Sequence, residues 1–156
     1  MKIKWGKLLT CLALPLAVGA LSAFFTKDNM QLFETVQKPP LSPPAWLFPV
    51  AWTILYLLMG FASYRVCISE KGEEYKSRFW WLYGAQLFFN FFWSLIFFNL
   101  QAYLFAFFWL ILLLALILWM TLTARRIDTV AFWCLVPYFV WVTFAGYLNA
   151  GVALLN

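Results

Sequence analysis

Three polar residues recur at four-residue spacing inside an otherwise apolar run: Gln86, Asn90 and Ser94. On a helix that spacing puts them on one face. Trp93 and Phe97 flank it. Two other apolar runs carry stripes of the same kind, Trp52, Tyr56 and Gly60 in one, and Pro137, Trp141, Ala145 and Asn149 in the other. An amide in hydrocarbon is costly without a partner, so these faces are expected to point inward rather than at lipid. Two uses fit such a set. The amides can bond helix to helix and simply hold a bundle together. Alternatively they can be the few polar anchors of an aromatic pocket, the usual construction of a small-molecule site. Other chemistry is harder to build here. Histidine is absent, which removes the commonest haem ligand and the commonest general base. No Asp, Glu, Lys or Arg lies within an apolar run, whereas proton relays and ion pathways normally need one. Cys11, Cys67 and Cys134 are far apart with no metal-ligand spacing and read as packing residues. The expectation is no catalytic residue and no metal site.

The elements that must position these faces follow from composition. The chain has 156 residues, 65% of them hydrophobic and 11% charged, where a soluble domain runs near a quarter charged. Too little polar surface exists to coat a globule, which predicts an all-α integral membrane protein. Five apolar runs, at about 8–25, 46–64, 79–100, 102–123 and 130–148, are each long enough to cross a bilayer. They are too long and continuous for transmembrane strands. The fold expected is one domain over 1–156, a bundle of five transmembrane helices. The first run follows Lys2, Lys4 and Lys7 as a signal peptide would, but it is long for one and contains Pro15, so it reads as a retained helix. The tight turn at Asn99-Leu100-Gln101 makes the third and fourth spans antiparallel neighbours. The fourth span has no polar face and reads as a lipid-facing or oligomer surface.

Basic residues give the orientation. With the N-terminus in the cytoplasm, nine lie inside (Lys2, Lys4, Lys7, Arg65, Lys71, Lys76, Arg78, Arg125 and Arg126) and two outside (Lys27 and Lys38). That asymmetry obeys the positive-inside rule and puts the C-terminus outside. The net charge of +5 is therefore a topology signal. The partner it implies is the lipid bilayer, and no nucleic acid is expected. Five spans do not divide into two equal inverted halves, which weakens a secondary-transporter architecture.

Five of the seven prolines fall between Pro39 and Pro49. Proline fixes φ and pushes the preceding residue out of the α region, so Lys38 to Pro43 should be extended, with Pro44 in the first turn of the second span. A plain connector needs one or two prolines. Five, with Lys38 among them, read as a stiff lid or wall on the outer side.

These residues resemble a known family. Lys38 to Pro44 reads K-P-x-x-x-P-P, and Leu47 to Met59 reads L-F-P-V-A-W-T-I-L-Y-L-L-M. Gln86 to Ser94 reads Q-L-F-F-N-F-F-W-S, and Val136-Pro137-Tyr138 is followed by Trp141, Phe144-Ala145 and Leu148-Asn149. Together, in order and over essentially the whole chain, they resemble the translocator protein family, also called tryptophan-rich sensory proteins or the peripheral-type benzodiazepine receptor family. The resemblance implies a five-helix bundle, usually a homodimer, in a bacterial cell membrane. It implies binding of tetrapyrroles, protoporphyrin IX and haem, as ligands rather than required cofactors, and in some members of sterols and isoquinoline carboxamides. The ligand-binding positions it implies are Trp52, Tyr56, Gln86, Asn90, Trp93, Trp141 and Ala145, beneath the loop with Lys38 and Pro39. Two positions depart from the family pattern. Leu32 and Phe33 stand where the family usually has Trp-Tyr, and that tryptophan is implicated in light-dependent porphyrin breakdown, so Leu32 argues against an enzyme. Tyr147 is followed by no basic residue, which argues against the sterol pattern of animal members. The function expected is a tetrapyrrole receptor or sensor. The alternatives are a porphyrin-degrading enzyme and a porphyrin or sterol transporter.

Overall fold

In lipid every backbone polar group must be satisfied within the protein, which leaves long helices as the solution for runs of this kind. The computed structural model describes residues 2–156, except for the side chain of Leu32. Its long helices are α1 (Trp5–Thr26), α3 (Leu47–Ile68), α4 (Glu73–Ser94), α5 (Tyr103–Arg125) and α6 (Thr129–Leu155), and α2 (Met30–Thr35) is a single short one. There is no strand among the described residues. Five of the helices are long and apolar enough to cross a membrane. The fold is therefore all-α, and the chain is a multi-pass membrane protein.

The helices run past the apolar segments that mark them in sequence. α4 begins at Glu73, six residues before the apolar run, and α6 continues to Leu155. The extra turns of α4 carry charged residues, Glu73, Glu74, Lys76 and Arg78, whereas those of α6 are mostly apolar. Pro49 sits in the first turn of α3, where its missing N–H leaves no bond unmade. Pro44 falls short of that helix: it lies in the turn before it, and its carbonyl accepts from Leu47 N at 3.0 Å.

Each helix packs on its neighbours in the order α1, α3, α6, α5, α4, and α4 returns to α1. Gly60 allows a close approach of α1 and α3. A side chain there would stand 2.8 Å from Cys11 O and from Leu12 Cα, so only glycine lets α1 and α3 touch backbone to backbone. At one end of the bundle Arg65 forms a two-pronged ion pair with Asp128, Nη2 to Oδ2 at 2.8 Å and Nε to Oδ1 at 3.2 Å. Asp128 also caps α6 by accepting from Ala131 N at 2.9 Å. One carboxylate thus ties α3 to the start of α6. At the other end Asn99 Nδ2 donates to Phe25 O at 2.9 Å, and Asn29 Nδ2 donates to Asn99 Oδ1 at 2.7 Å. These bonds hold the end of α1 against the end of α4.

That second end holds the features of interest. The segment between the first two spans contains α2. The proline-rich segment after it is extended, as its prolines require, but it turns at Pro40 and Leu41, where Ser42 Oγ donates to Pro39 O at 2.7 Å. Leu41 takes a φ of 70°, and its side chain stands in the open.

Candidate functional site

A cavity of about 580 Å³ opens inside this end of the bundle. It is lined by α1, α2, α3, α4 and α6, and α5 contributes nothing to it. α5 instead packs Leu110, Leu113, Ile117 and Met120 into the core, and its outer face is exposed.

Aromatic side chains form most of the wall. On α3, Trp52 lies 5.6 Å from Tyr56, ring centre to ring centre. Trp141 of α6 meets Trp52 edge-on at 6.5 Å and Phe48 at 6.0 Å. Opposite them on α4, Trp93 stacks on Phe97 at 5.2 Å. The end of α4 widens to a π turn over Leu95–Asn99, closed by Leu100 N on Leu95 O at 3.0 Å. Consecutive residues Phe97 and Phe98 both line the cavity there. Phe33 of α2 closes the ring of contacts, 5.6 Å from both Phe97 and Phe98 and 6.2 Å from Phe48. Edge-on and tilted pairs of this kind are the favoured geometries of aromatic packing.

The buried amides are fully engaged. Tyr138, with no exposed surface, donates to Gln86 Oε1 at 2.7 Å and accepts from Asn90 Nδ2 at 2.9 Å. Gln86 Nε2 points at Met59 Sδ, 3.3 Å away, and Tyr56 OH donates to Asn90 Oδ1 at 3.4 Å. This network joins α3, α4 and α6. Nearer the cavity, Trp93 Nε1 donates to Asn149 Oδ1 at 3.0 Å, and Asn149 Nδ2 donates to Tyr103 O at 2.8 Å. Trp141 differs: its Nε1 is buried with no hydrogen-bond partner. A buried donor left bare costs about 1–3 kcal/mol.

A strap fixes the roof. Asn156 receives Gln37 N on Oδ1 at 3.1 Å and returns Nδ2 to Gln37 O at 2.8 Å. Tyr147 OH donates to Pro40 O at 2.6 Å, and Pro39 packs on the bare face of Gly151. The proline-rich loop is thus bound along the last turns of α6. Lys38 Nζ donates to Glu34 O at 3.2 Å and Val36 O at 3.4 Å, at the end of α2, and lies 4.9 Å from the centre of the Phe33 ring.

Of the residues singled out in sequence, Trp52, Tyr56, Trp93, Trp141 and Ala145 line the cavity together. Gln86 and Asn90 lie beside it in the Tyr138 network and do not line it. Lys38 and Pro39 belong to the strap and do not line it either. Leu32, the departure that bears on porphyrin breakdown, has its side chain outside the described residues. Among the described residues no three His, Cys, Asp or Glu side chains stand close enough to hold a metal. Sequence reasoning did not single out Tyr138, Glu34 or the α1 contributors Ser22 and Thr26. Tyr138 stands one position off the Pro137–Trp141–Ala145 stripe, so periodicity alone passes over it.

Comparison with known proteins agrees with this architecture. Residues 11–155 match the sequence model of the TspO/MBR family. The chain belongs to the TspO/MBR family. It is 37% identical over 147 residues to the Tryptophan-rich protein TspO of Chlorobaculum tepidum, covering 94% of this chain and 93% of that one. It is 33% identical to the Tryptophan-rich sensory protein of Cereibacter sphaeroides, covering 100% of this chain and 95% of that protein. Identity to the Translocator protein of Homo sapiens is 30% over 129 residues, 82% of this chain and 76% of the human one. TspO/MBR membership accounts for the sequence motifs, and the cavity lies where those motifs converge.

Proposed function

We propose that this chain is a membrane receptor or sensor that takes a flat tetrapyrrole, such as protoporphyrin IX or haem, into the aromatic cavity. The observation that carries the proposal is the cavity itself. Its volume of about 580 Å³ falls within the roughly 300–1,000 Å³ typical of small-molecule sites. Its walls are rich in aromatic rings, among them Trp52, Trp141, Trp93 and Phe97. A planar apolar macrocycle can lie among them. The wider set of buried hydrogen bonds holds these walls apart without a ligand, so binding need not create the cavity.

The test is titration of protoporphyrin IX into the purified protein in lipid nanodiscs, in the dark, followed by tryptophan fluorescence. Binding should quench the emission. Trp52→Ala and Trp141→Ala should each weaken binding by ~1–3 kcal/mol, the scale of stacking on an aromatic side chain. Unchanged affinity in both variants, with their helices intact, would remove the cavity from the reading. Repeating the titration in light separates binding from breakdown, because only breakdown consumes the porphyrin absorbance.

A further inference from the structure

Among the polar groups that line the cavity, two threonine hydroxyls offer acceptors only. Thr26 Oγ donates to Ser22 O at 2.8 Å, and Thr53 Oγ donates to Pro49 O at 2.7 Å. A hydroxyl has a single proton, so each has spent its donor on its own helix and keeps only lone pairs to offer. Glu34 lines the cavity from α2. No Lys, Arg or Asp lines the cavity, so Glu34 is its one charged residue among the described residues. No cation there lies within ion-pair distance of it. Lys38, four residues on, is spent on the main-chain oxygens of Glu34 and Val36, and it lies outside the cavity lining. Of these two charged residues, Glu34 belongs to the cavity lining and Lys38 does not. Phe33, the neighbour of Glu34 in α2, packs on Phe48, and Phe48 packs on Trp141. Aromatic faces next to a carboxylate favour a cation and disfavour an anion.

We propose that Glu34 sets a charge preference for this cavity. A flat aromatic ligand that brings an ammonium, or a neutral hydrogen-bond donor, to the roof end is held better than one that brings a carboxylate there. For a tetrapyrrole, which the proposed function places in the same cavity, esterified or protonated side chains are preferred at that end. The charge preference rests on the cavity, not on the tetrapyrrole.

The experiment uses two probes with one aromatic body, pyrenylmethylammonium and pyreneacetate. Each is titrated into the full-length protein in nanodiscs of zwitterionic lipid, with energy transfer from tryptophan to pyrene as the readout. The wild type should hold the ammonium probe about two- to five-fold more tightly, the scale of a single solvent-exposed charge pair. Glu34→Gln should bring the ratio near one, and Glu34→Lys should reverse it. Glu34 is exposed, so neither change threatens the fold. An equal ratio in the wild type, a ratio that Glu34→Gln leaves alone, or no transfer to either probe overturns the proposal. Protoporphyrin IX is titrated in parallel. If it fails to bind while the pyrene ratio follows residue 34, the tetrapyrrole reading falls and the charge preference stands. If it binds while the ratio ignores residue 34, the reverse holds.

Discussion

Gly151 is the place where the strap can be loosened with one methyl group. A Cβ there would lie 2.5 Å from Pro39 Cβ and 2.8 Å from Pro39 Cδ, with Cγ nearer still. Carbon atoms in contact normally stand about 3.5–4.0 Å apart, so the strap must retreat by roughly 1 Å. Pro39 is buried and cyclic, so it has no rotamer into which to escape. Two effects compete in Gly151→Ala. Alanine favours the helix over glycine by up to ~1 kcal/mol, and less so close to the helix end. Overpacking costs ~1–3 kcal/mol and also strains the bonds of Asn156 to Gln37 and of Tyr147 to Pro40. The clash should win at the strap, while the transmembrane bundle keeps its stability. The expected outcome is faster chymotryptic cleavage after Leu41 and a roughly ten-fold loss of protoporphyrin IX affinity, equal to about 1.4 kcal/mol. Gly84→Ala is the control, because nothing lies within 4 Å of a side chain at that position. It should change neither readout. A Gly151→Ala protein that binds as tightly as wild type and resists cleavage as well would refute the strap as the element that holds the roof.

Three further outcomes follow from other contacts. Tyr138→Phe leaves Gln86 Oε1 and Asn90 Nδ2 without their partner; membrane hydrogen bonds average near 0.6 kcal/mol, so thermal stability should fall by ~1–2 kcal/mol while porphyrin affinity changes little. A larger loss of affinity than of stability would bring the network into the ligand site. Lys38→Ala should weaken protoporphyrin IX and its dimethyl ester equally, because Lys38 Nζ is spent on the carbonyls of Glu34 and Val36; a loss confined to the free acid would return Lys38 to the ligand. A reporter active only outside the cytoplasm, fused after Asn156, should be active on the basic-residue asymmetry, and an active cytoplasmic reporter in its place would invert the orientation.

The spans were legible because lipid leaves so few choices. A run of twenty apolar residues has to be a helix, and the four-residue spacing on the second, third and fifth runs marks faces that turn inward, except at Pro137, which is exposed. What spacing could not do was divide the two uses of an inward polar face. Gln86, Asn90 and Ser94 form one stripe in sequence, yet Gln86 and Asn90 bond to Tyr138 and to each other's neighbours, while Ser94 lines the cavity. That division depends on which side chain of α6 reaches across, and Tyr138 is not on the α6 stripe. The helix α2 was illegible for a different reason. Six residues are too few to show a period or to form a helix unaided, and α2 has its place because Phe33 packs on Phe48, Phe97 and Phe98.

The strap shows where local information ends. Its prolines dictate an extended, stiff segment, and the segment is extended except at the Pro40–Leu41 turn. They do not dictate what it binds. That is decided by Tyr147, Gly151 and Asn156, more than a hundred residues away, and the three share a face because they recur at four and five residues along α6. A stiff segment loses little entropy on being bound, so a few exposed hydrogen bonds and one bare glycine face are enough to hold it. The same economy places Lys38. With the strap bound to α6, its ammonium falls at the open carbonyl end of α2, where a cation is favoured, and the charged residue left at the cavity is Glu34. The motif around Lys38 marks the roof, and the charged residue that lines the cavity stands one helical turn earlier.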